Sequence, residues 1–326
     1  MSATTPAVSL PVDDQTKRRL DRGGKSEAST MAGRTKKRLS SRGATLGALV
    51  IAVLWTLPTL GLFISSFRPA GLVNTTGWWT IVQNPGFTFD NYVEVLGTGN
   101  SQLDLAGAFI NSLAITIPAT VFPLVIATLA AYAFAWIPFK GKNWLFIGVF
   151  ALQIVPIQMA LIPLLSLFSR GLNIGGVQIF DSLGSAGGYG QVWIAHTIFA
   201  LPLAIFLLHA FVSEIPGEVI EAARVDGASH GQLFFRIVLP LSMPAIASFA
   251  IFQFIWVWND LLVGLVFADG AAAPMTKLLA EIVGQRGQDW YLLTAGAFIS
   301  ILVPLVVFFS LQRYFVRGLL AGSTKG

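Results

Sequence analysis

Of the 326 residues, 54% are hydrophobic and only 11% charged, against about 25% charged in an ordinary soluble domain. This excludes a water-soluble globule and predicts an all-α integral membrane protein, because backbone groups in lipid must be satisfied within helices. With no cysteine, disulfides and thiolate metal sites are excluded as well, and the net charge of +5 gathers near the N-terminus, where it is not read as nucleic-acid binding.

Residues 1–43 are polar and basic, with Lys17, Arg18, Arg19, Arg22, Lys25, Arg34, Lys36, Lys37, Arg38 and Arg42. They are expected to form a disordered cytoplasmic tail whose charge sets topology and attracts anionic lipid. The first apolar run is too long for a cleaved signal peptide and predicts span one at 44–66. A mixed external region follows, with Trp78, Trp79 and an amphipathic stretch near Phe89. Span two is expected at 106–136. Pro138, Lys140, Gly141 and Lys142 then form a basic cytoplasmic turn into span three at 143–168, where Pro156 and Pro163 should loosen the helix. Glycine-rich sequence from Gly171 to Gly190 makes the next external loop, and span four covers 192–212.

Residues 213–244 form a polar interlude between two apolar segments. Pro216 and the acidic residues around it suit the start of a helix, Glu221 and Arg224 stand three apart on one face, and Gly227 permits a turn. A second short helix is expected to carry Leu233, Phe234 and Ile237 until Pro240 and Pro244 interrupt it. Span five is placed at 245–267, followed by an external loop with a short helix near Pro274–Glu281. Span six is placed at 291–311, and residues 319–326 form a tail. This arrangement leaves only Arg68, Arg170, Lys277 and Arg286 of the 21 Lys and Arg residues outside, so both termini are cytoplasmic.

A phosphate-binding G-x-x-x-x-G-K-[ST] loop is missing. Gly24, Lys25 and Ser26 imitate its end, but Arg19 occupies the position of its first glycine. His196, His209 and His230 are too separated for a metal cluster; His196 and His209 read as packing residues or as part of a polar path. Asp260 is the candidate ionisable residue within a span, with no basic partner expected in another, which argues against an ion-coupled carrier. Asn111, Gln153, Gln158, Gln253, Trp256 and Asn259 are candidates for a solute path, or for hydrogen bonds between helices.

The spacing of Glu221, Ala222, Ala223, Gly227, Ile237, Leu239 and Pro240, E-A-A-x3-G-x9-I-x-L-P, resembles the cytoplasmic EAA loop of permease subunits of bacterial ABC importers. FQFIWVWNDLL and the terminal GLLAGSTKG resemble the sugar-transporting branch, of the maltose-permease G type. The resemblance covers residues 44–326 and implies a type I permease fold of six transmembrane helices in the plasma membrane. Partners implied with it are a second permease subunit, two ATPase subunits that use ATP and Mg2+, and an external sugar-binding protein. The permease itself would hold no cofactor and make or break no bond.

Carried over by position, Glu221, Ala222, Ala223, Asp226 and Gly227 would dock in the ATPase, with Ile237, Leu239 and Pro240 anchoring the loop to span five. Gly322, Ser323, Thr324, Lys325 and Gly326 would reach between the ATPase subunits, and the Pro274–Glu281 loop would meet the binding protein. Alternatives are a permease for a polyol or glycerol phosphate and a stand-alone carrier or channel. A membrane enzyme would need a cluster of reactive groups that the sequence does not display.

Overall fold

The computed structural model describes residues 42–97, 103–183, 188–268, 270–282 and 289–323, with side chains up to residue 310. Of the tail expected at 1–43, residues 1–41 lie outside the described residues, as do Thr324, Lys325 and Gly326, while residues 42 and 43 already belong to a helix. Two compact units divide the chain, Met1–Gly61 and Leu62–Gly326. Helix α1 (Arg42–Ser66) supplies the described part of the first and runs into the second. Every side chain from Gly43 to Leu60 is exposed, a surface that only lipid or another apolar chain can cover favourably.

The second unit opens with α2 (Ala70–Thr75), a 3-10 turn (Trp78–Val82) and α3 (Asp90–Val95). Fully buried Arg68 ties this region together. Its guanidinium donates to the Gly77 carbonyl oxygen at 2.8 Å and to the hydroxyls of Thr76 and Thr80 at 3.0 and 3.1 Å, using the several donors that arginine alone carries on one planar group. The long helices follow: α4 (Leu105–Trp136), α5 (Lys142–Ala151), α6 (Ile157–Arg170), α7 (Tyr189–Val212), α8 (Gly217–Val225) and α9 (His230–Trp258). Short α10 (Leu262–Phe267) and α11 (Met275–Ile282) precede α12 (Trp290–Ser323). Helices α4 and α7 form the central pair. Buried Ala119, Ala127 and Ala131 of the first, and Ala195, Ala200 and Ala204 of the second, are small enough to let the backbones approach.

Proline explains much of the remaining cohesion. A proline inside a helix cannot donate to the carbonyl four residues back, and in an apolar interior that carbonyl needs another donor. Pro118 and Pro123 lie inside α4, and Pro304 inside α12. The carbonyl oxygens four residues before them, on Ala114, Ala119 and Ser300, accept from Trp193 Nε1 at 2.9 Å, Gln253 Nε2 at 3.2 Å and Trp258 Nε1 at 3.0 Å. Each gap is filled from a neighbouring helix, joining α4 to α7, α4 to α9 and α9 to α12. Gln253→Leu should therefore cost about 1–3 kcal/mol by stranding a buried carbonyl. Thermal unfolding of the purified protein should register a smaller loss in a Pro123→Ala background, where a restored backbone N–H at position 123 can bond to Ala119. Equal losses in the two backgrounds would contradict this account.

Among the described residues, five helices are long and apolar enough to cross a membrane, and a sixth span arises if the bent pair α5 and α6 counts as one. The fold is that of a type I permease with six spans, though three boundaries differ from those expected. Residues 143–168 do not form one helix: the chain bends by 104° between Ile154 and Ile157. Pro156 holds Val155 extended, at ψ 119°, while Pro163 stays inside α6.

Span five is also displaced. Its helix starts at His230 and ends at Trp258, so Pro240 and Pro244 do not interrupt it. Over Phe234–Val238 the helix widens to a π turn, the Leu239 N–H bonding to Phe234 O five residues back, and the ring of Pro240 is accommodated immediately afterwards. The helix breaks instead at Asn259–Leu261 before α10. The third difference is at the C-terminus, where α12 continues to Ser323. The loop after α6 contains a hairpin, β1 (Leu172–Ile174) paired antiparallel with β2 (Val177–Phe180), turned by Gly175 and Gly176 at φ 59° and 85°.

Candidate functional site

The segment after α7 is built on capping geometry. Just past the end of α8, Gly227 takes φ +81°, its N–H bonds to Arg224 O at 3.0 Å, and the Ala228 N–H reaches back to Ala223 O at 2.9 Å. These two bonds define a Schellman motif, in which a left-handed residue stands four positions after the residue whose carbonyl accepts the bond of wider sequence span, here Ala223. The spacing from Ala223 to Gly227 is this register. Ser229 and Gln232 then form a capping box that starts α9.

The three residues Glu221, Ala222 and Ala223 divide between two faces. Ala223 packs against the core with Ala228, Ile237 and Leu239 around buried Ile220, Leu233 and Val238. Glu221, Ala222 and Asp226 face outward, as do Gly227 and Pro240. Beside them Val225 is 87% exposed; sequence reading missed it as part of this surface. Arg224 does not serve Glu221 here: its Nη2 donates to Trp136 O at 3.0 Å. Trp136 Nε1 in turn donates to Val212 O at 3.3 Å, and the Tyr132 hydroxyl lies 2.9 Å from His230 Nδ1. The segment is thus braced to the end of α4 while presenting an acidic and apolar face. Gly322 and Ser323 lie in the last turn of α12.

A cavity of about 460 Å3 opens between the bend of α5 and α6 and the facing sides of α7 and α9. Leu152, Gln153, Ile157 and Ala160 line one wall, Ile198, Phe199 and Leu203 another, and Phe249, Phe252, Gln253 and Trp256 the third. This volume suits a small organic solute. Of the six polar or aromatic candidates, Gln153, Gln253 and Trp256 meet here. The Nε2 group of Gln253 is committed to Ala119 O, which makes Gln153 and Trp256 the freer to serve a solute.

The other three candidates lie elsewhere. Gln158 is exposed on α6, and Asn259 Nδ2 bonds to Ile255 O at the end of its own helix. Asn111 clamps the segment before α11, donating to Ala271 O and Ala273 O at 2.8 and 2.9 Å and accepting from the Tyr189 hydroxyl.

Asp260 occupies the break after α9. Its Oδ2 accepts from the N–H groups of Val263 and Gly264 at 2.9 and 3.3 Å, capping α10. The expectation that no basic residue faces it is corrected: buried His196 of α7 places Nε2 at 3.8 Å. The Thr276 hydroxyl bonds to Asp260 O and the Met275 N–H to Ser112 Oγ, so α11 is fastened to the break. On its other side the His196 ring stands edge-on to Trp256, with centroids 6.0 Å apart. A continuous row of contacts runs from α11 through Asp260 and His196 to the cavity wall.

Residues 124–320 match the family described as "Binding-protein-dependent transport system inner membrane component". The chain is similar to the osmoprotective compounds uptake permease protein GgtD of Synechocystis sp., 54% identical over 286 residues that cover 86% of this chain and 91% of the relative. It is also similar to the alpha-glucoside transport system permease protein AglG of Rhizobium meliloti, 50% identical over 265 residues, 81% of this chain and 67% of the relative. Among solved structures, a chain of a bacterial alginate ABC transporter in complex with an alginate pentasaccharide-bound periplasmic protein resembles it with a TM-score of 0.59. That likeness, at 17% identity over 84% of this chain and 94% of the other, is one of fold.

Proposed function

Since the chain belongs to the family of binding-protein-dependent transport system inner membrane components, the permease subunits of ABC importers, we propose that it carries a sugar, an oligosaccharide or α-glucoside, across the plasma membrane. In this reading both termini and α8 are cytoplasmic, and the exposed face of Glu221, Ala222 and Val225 docks in a separate ATPase subunit that uses ATP and Mg2+. A second permease completes the membrane unit, an external binding protein delivers the solute to the side of α11, and the 460 Å3 cavity is where solute passes.

The single observation that supports coupling best is the face of α8 itself. Its backbone is fixed by a cap and its inner side is packed, while Val225, Glu221 and Ala222 stay uncovered together on the other side, a rigid surface that a partner could engage. ATP-driven closure of the ATPase pair would then move α8 and α9 with it, and the bundle would alternate between outward and inward access. The solute follows because the two conformations differ in their affinity for it. A sugar is favoured by the α-glucoside relative at 50% identity. A small osmoprotective solute is the second reading, favoured by the relative at 54%.

The test is purification of the tagged chain from its native membrane, with identification of what accompanies it and ATPase assay of the eluate. An ATPase, a second permease and stimulation of hydrolysis by a sugar-loaded binding protein are expected. A chain that moves solute alone in vesicles would sink the assignment.

A further inference from the structure

A second cavity, of about 270 Å3, lies at the coupling end of the bundle, away from the solute cavity. It is lined by Phe134 of α4, Lys142, Asn143, Phe146 and Ile147 of α5, and His209 of α7. We propose that it binds the phosphate headgroup of an anionic phospholipid.

The lining carries one cationic and two neutral polar side chains, and no carboxylate. Lys142 is half-buried, and its Nζ makes one hydrogen bond, a long one of 3.4 Å to Ala135 O, while an ammonium has three protons to give. His209 Nε2 stands 3.2 Å from the Ser213 hydroxyl, and its ring lies against Phe146 with centroids 4.4 Å apart. A phosphodiester oxygen would supply the counter-charge that a lysine drawn out of water favours.

Position and surroundings select a lipid over a free anion. Lys142 is the first residue of α5 and His209 lies in the last turn of α7, so the polar groups stand where the apolar runs end, at headgroup level. Along α5, Trp144 is 81% exposed and Leu145 and Ile147 are exposed with it, an apolar face that suits hydrocarbon. From the cavity a row of rings leads into the span: Phe146 to Phe206 at 6.4 Å, and Phe206 to Phe150 at 4.5 Å. Both Phe150 and Phe206 are partly exposed, giving an acyl chain a surface continuous with the headgroup site.

The full chain, purified with its native partners and delipidated, would be titrated with phosphatidylglycerol and phosphatidylcholine and read by native mass spectrometry. Phosphatidylglycerol is expected to bind about fivefold more tightly, the worth of one well-placed lysine at a membrane surface. Lys142→Gln should erase that preference, whereas Lys140→Gln, exposed and outside the lining, should keep it. Ile147→Trp, which fills the cavity without touching charge, should weaken phosphatidylglycerol binding and protects the test against a misfolded Lys142 variant. Equal affinity of the native protein for both lipids would overturn the proposal, as would an equal loss in the Lys140 and Lys142 variants. Displacement of bound phosphatidylglycerol by excess inorganic phosphate would assign the cavity to a free anion and overturn the lipid reading.

Discussion

Replacing Glu221 with lysine, or Val225 with aspartate, is expected to bring uptake down to that of cells lacking the chain, with insertion and abundance unchanged. Both side chains are exposed, so neither change disturbs the packing of α8, which rests on Ile220 and Ala223. The cost falls on the interface. An uncompensated charge buried against a partner costs about 3–5 kcal/mol, two orders of magnitude or more in affinity. The ATPase should therefore be lost on purification from both variants. Val225→Asp is the sharper test, because only a partner surface makes an 87% exposed valine matter. Undiminished uptake with Val225→Asp would show that this face stays in water.

A second large effect is expected from Ala160→Trp. Ala160 lies on the α6 wall of the 460 Å3 cavity, and an indole there would occupy the space that the proposed solute path needs. Uptake should fall to background while the ATPase still co-purifies, which separates blocked passage from broken coupling. The native rate in this variant would place the solute path elsewhere. Trp256→Phe, which keeps a flat ring against His196, should by contrast retain much of the transport.

These expectations divide along the line between what local sequence encodes and what packing decides. The register from Ala223 to Gly227 is local, since a Schellman cap needs only a glycine at the right distance, and the segment was legible for that reason. The hairpin was equally legible and passed over: Leu172–Ile174 and Val177–Phe180 flank a Gly-Gly pair, a turn signal stronger than the general glycine richness that suggested a loop. The side of Val225 could not be read, because in a chain this apolar a valine that packs and a valine that waits for a partner look alike.

Other features depend on residues far apart in sequence. Prolines inside spans announce that a carbonyl lacks its donor, but not that Trp193, Gln253 and Trp258 supply one from across the bundle. For Gln253 both readings, solute contact and hydrogen bond between helices, stay open in the sequence, and the bond to Ala119 O is the one the fold displays. That His196 faces Asp260 is likewise settled by how α7 packs against the break after α9, not by anything local to either residue. Pro156 and Pro240 give opposite outcomes for the same chemical reason. At Pro156 the preceding residue goes extended and the helix turns through 104°; at Pro240 a wide turn absorbs the ring and the helix runs on.

Helix α9 is consequently one rod with a fulcrum far from its middle. From His230 to Gln253, where the bond to Ala119 O pins it, is roughly 35 Å at 1.5 Å per residue, and from there to Trp258 only about 8 Å. Any swing imposed at the His230 end is geared down about fourfold at the Trp258 end, where Trp258 is itself pinned to Ser300 O. The cavity wall made by Phe249, Phe252 and Trp256 sits almost on the pivot and would hardly travel. If the 460 Å3 cavity is the solute path, its widening or closing falls to the opposite wall, the elbow at Pro156.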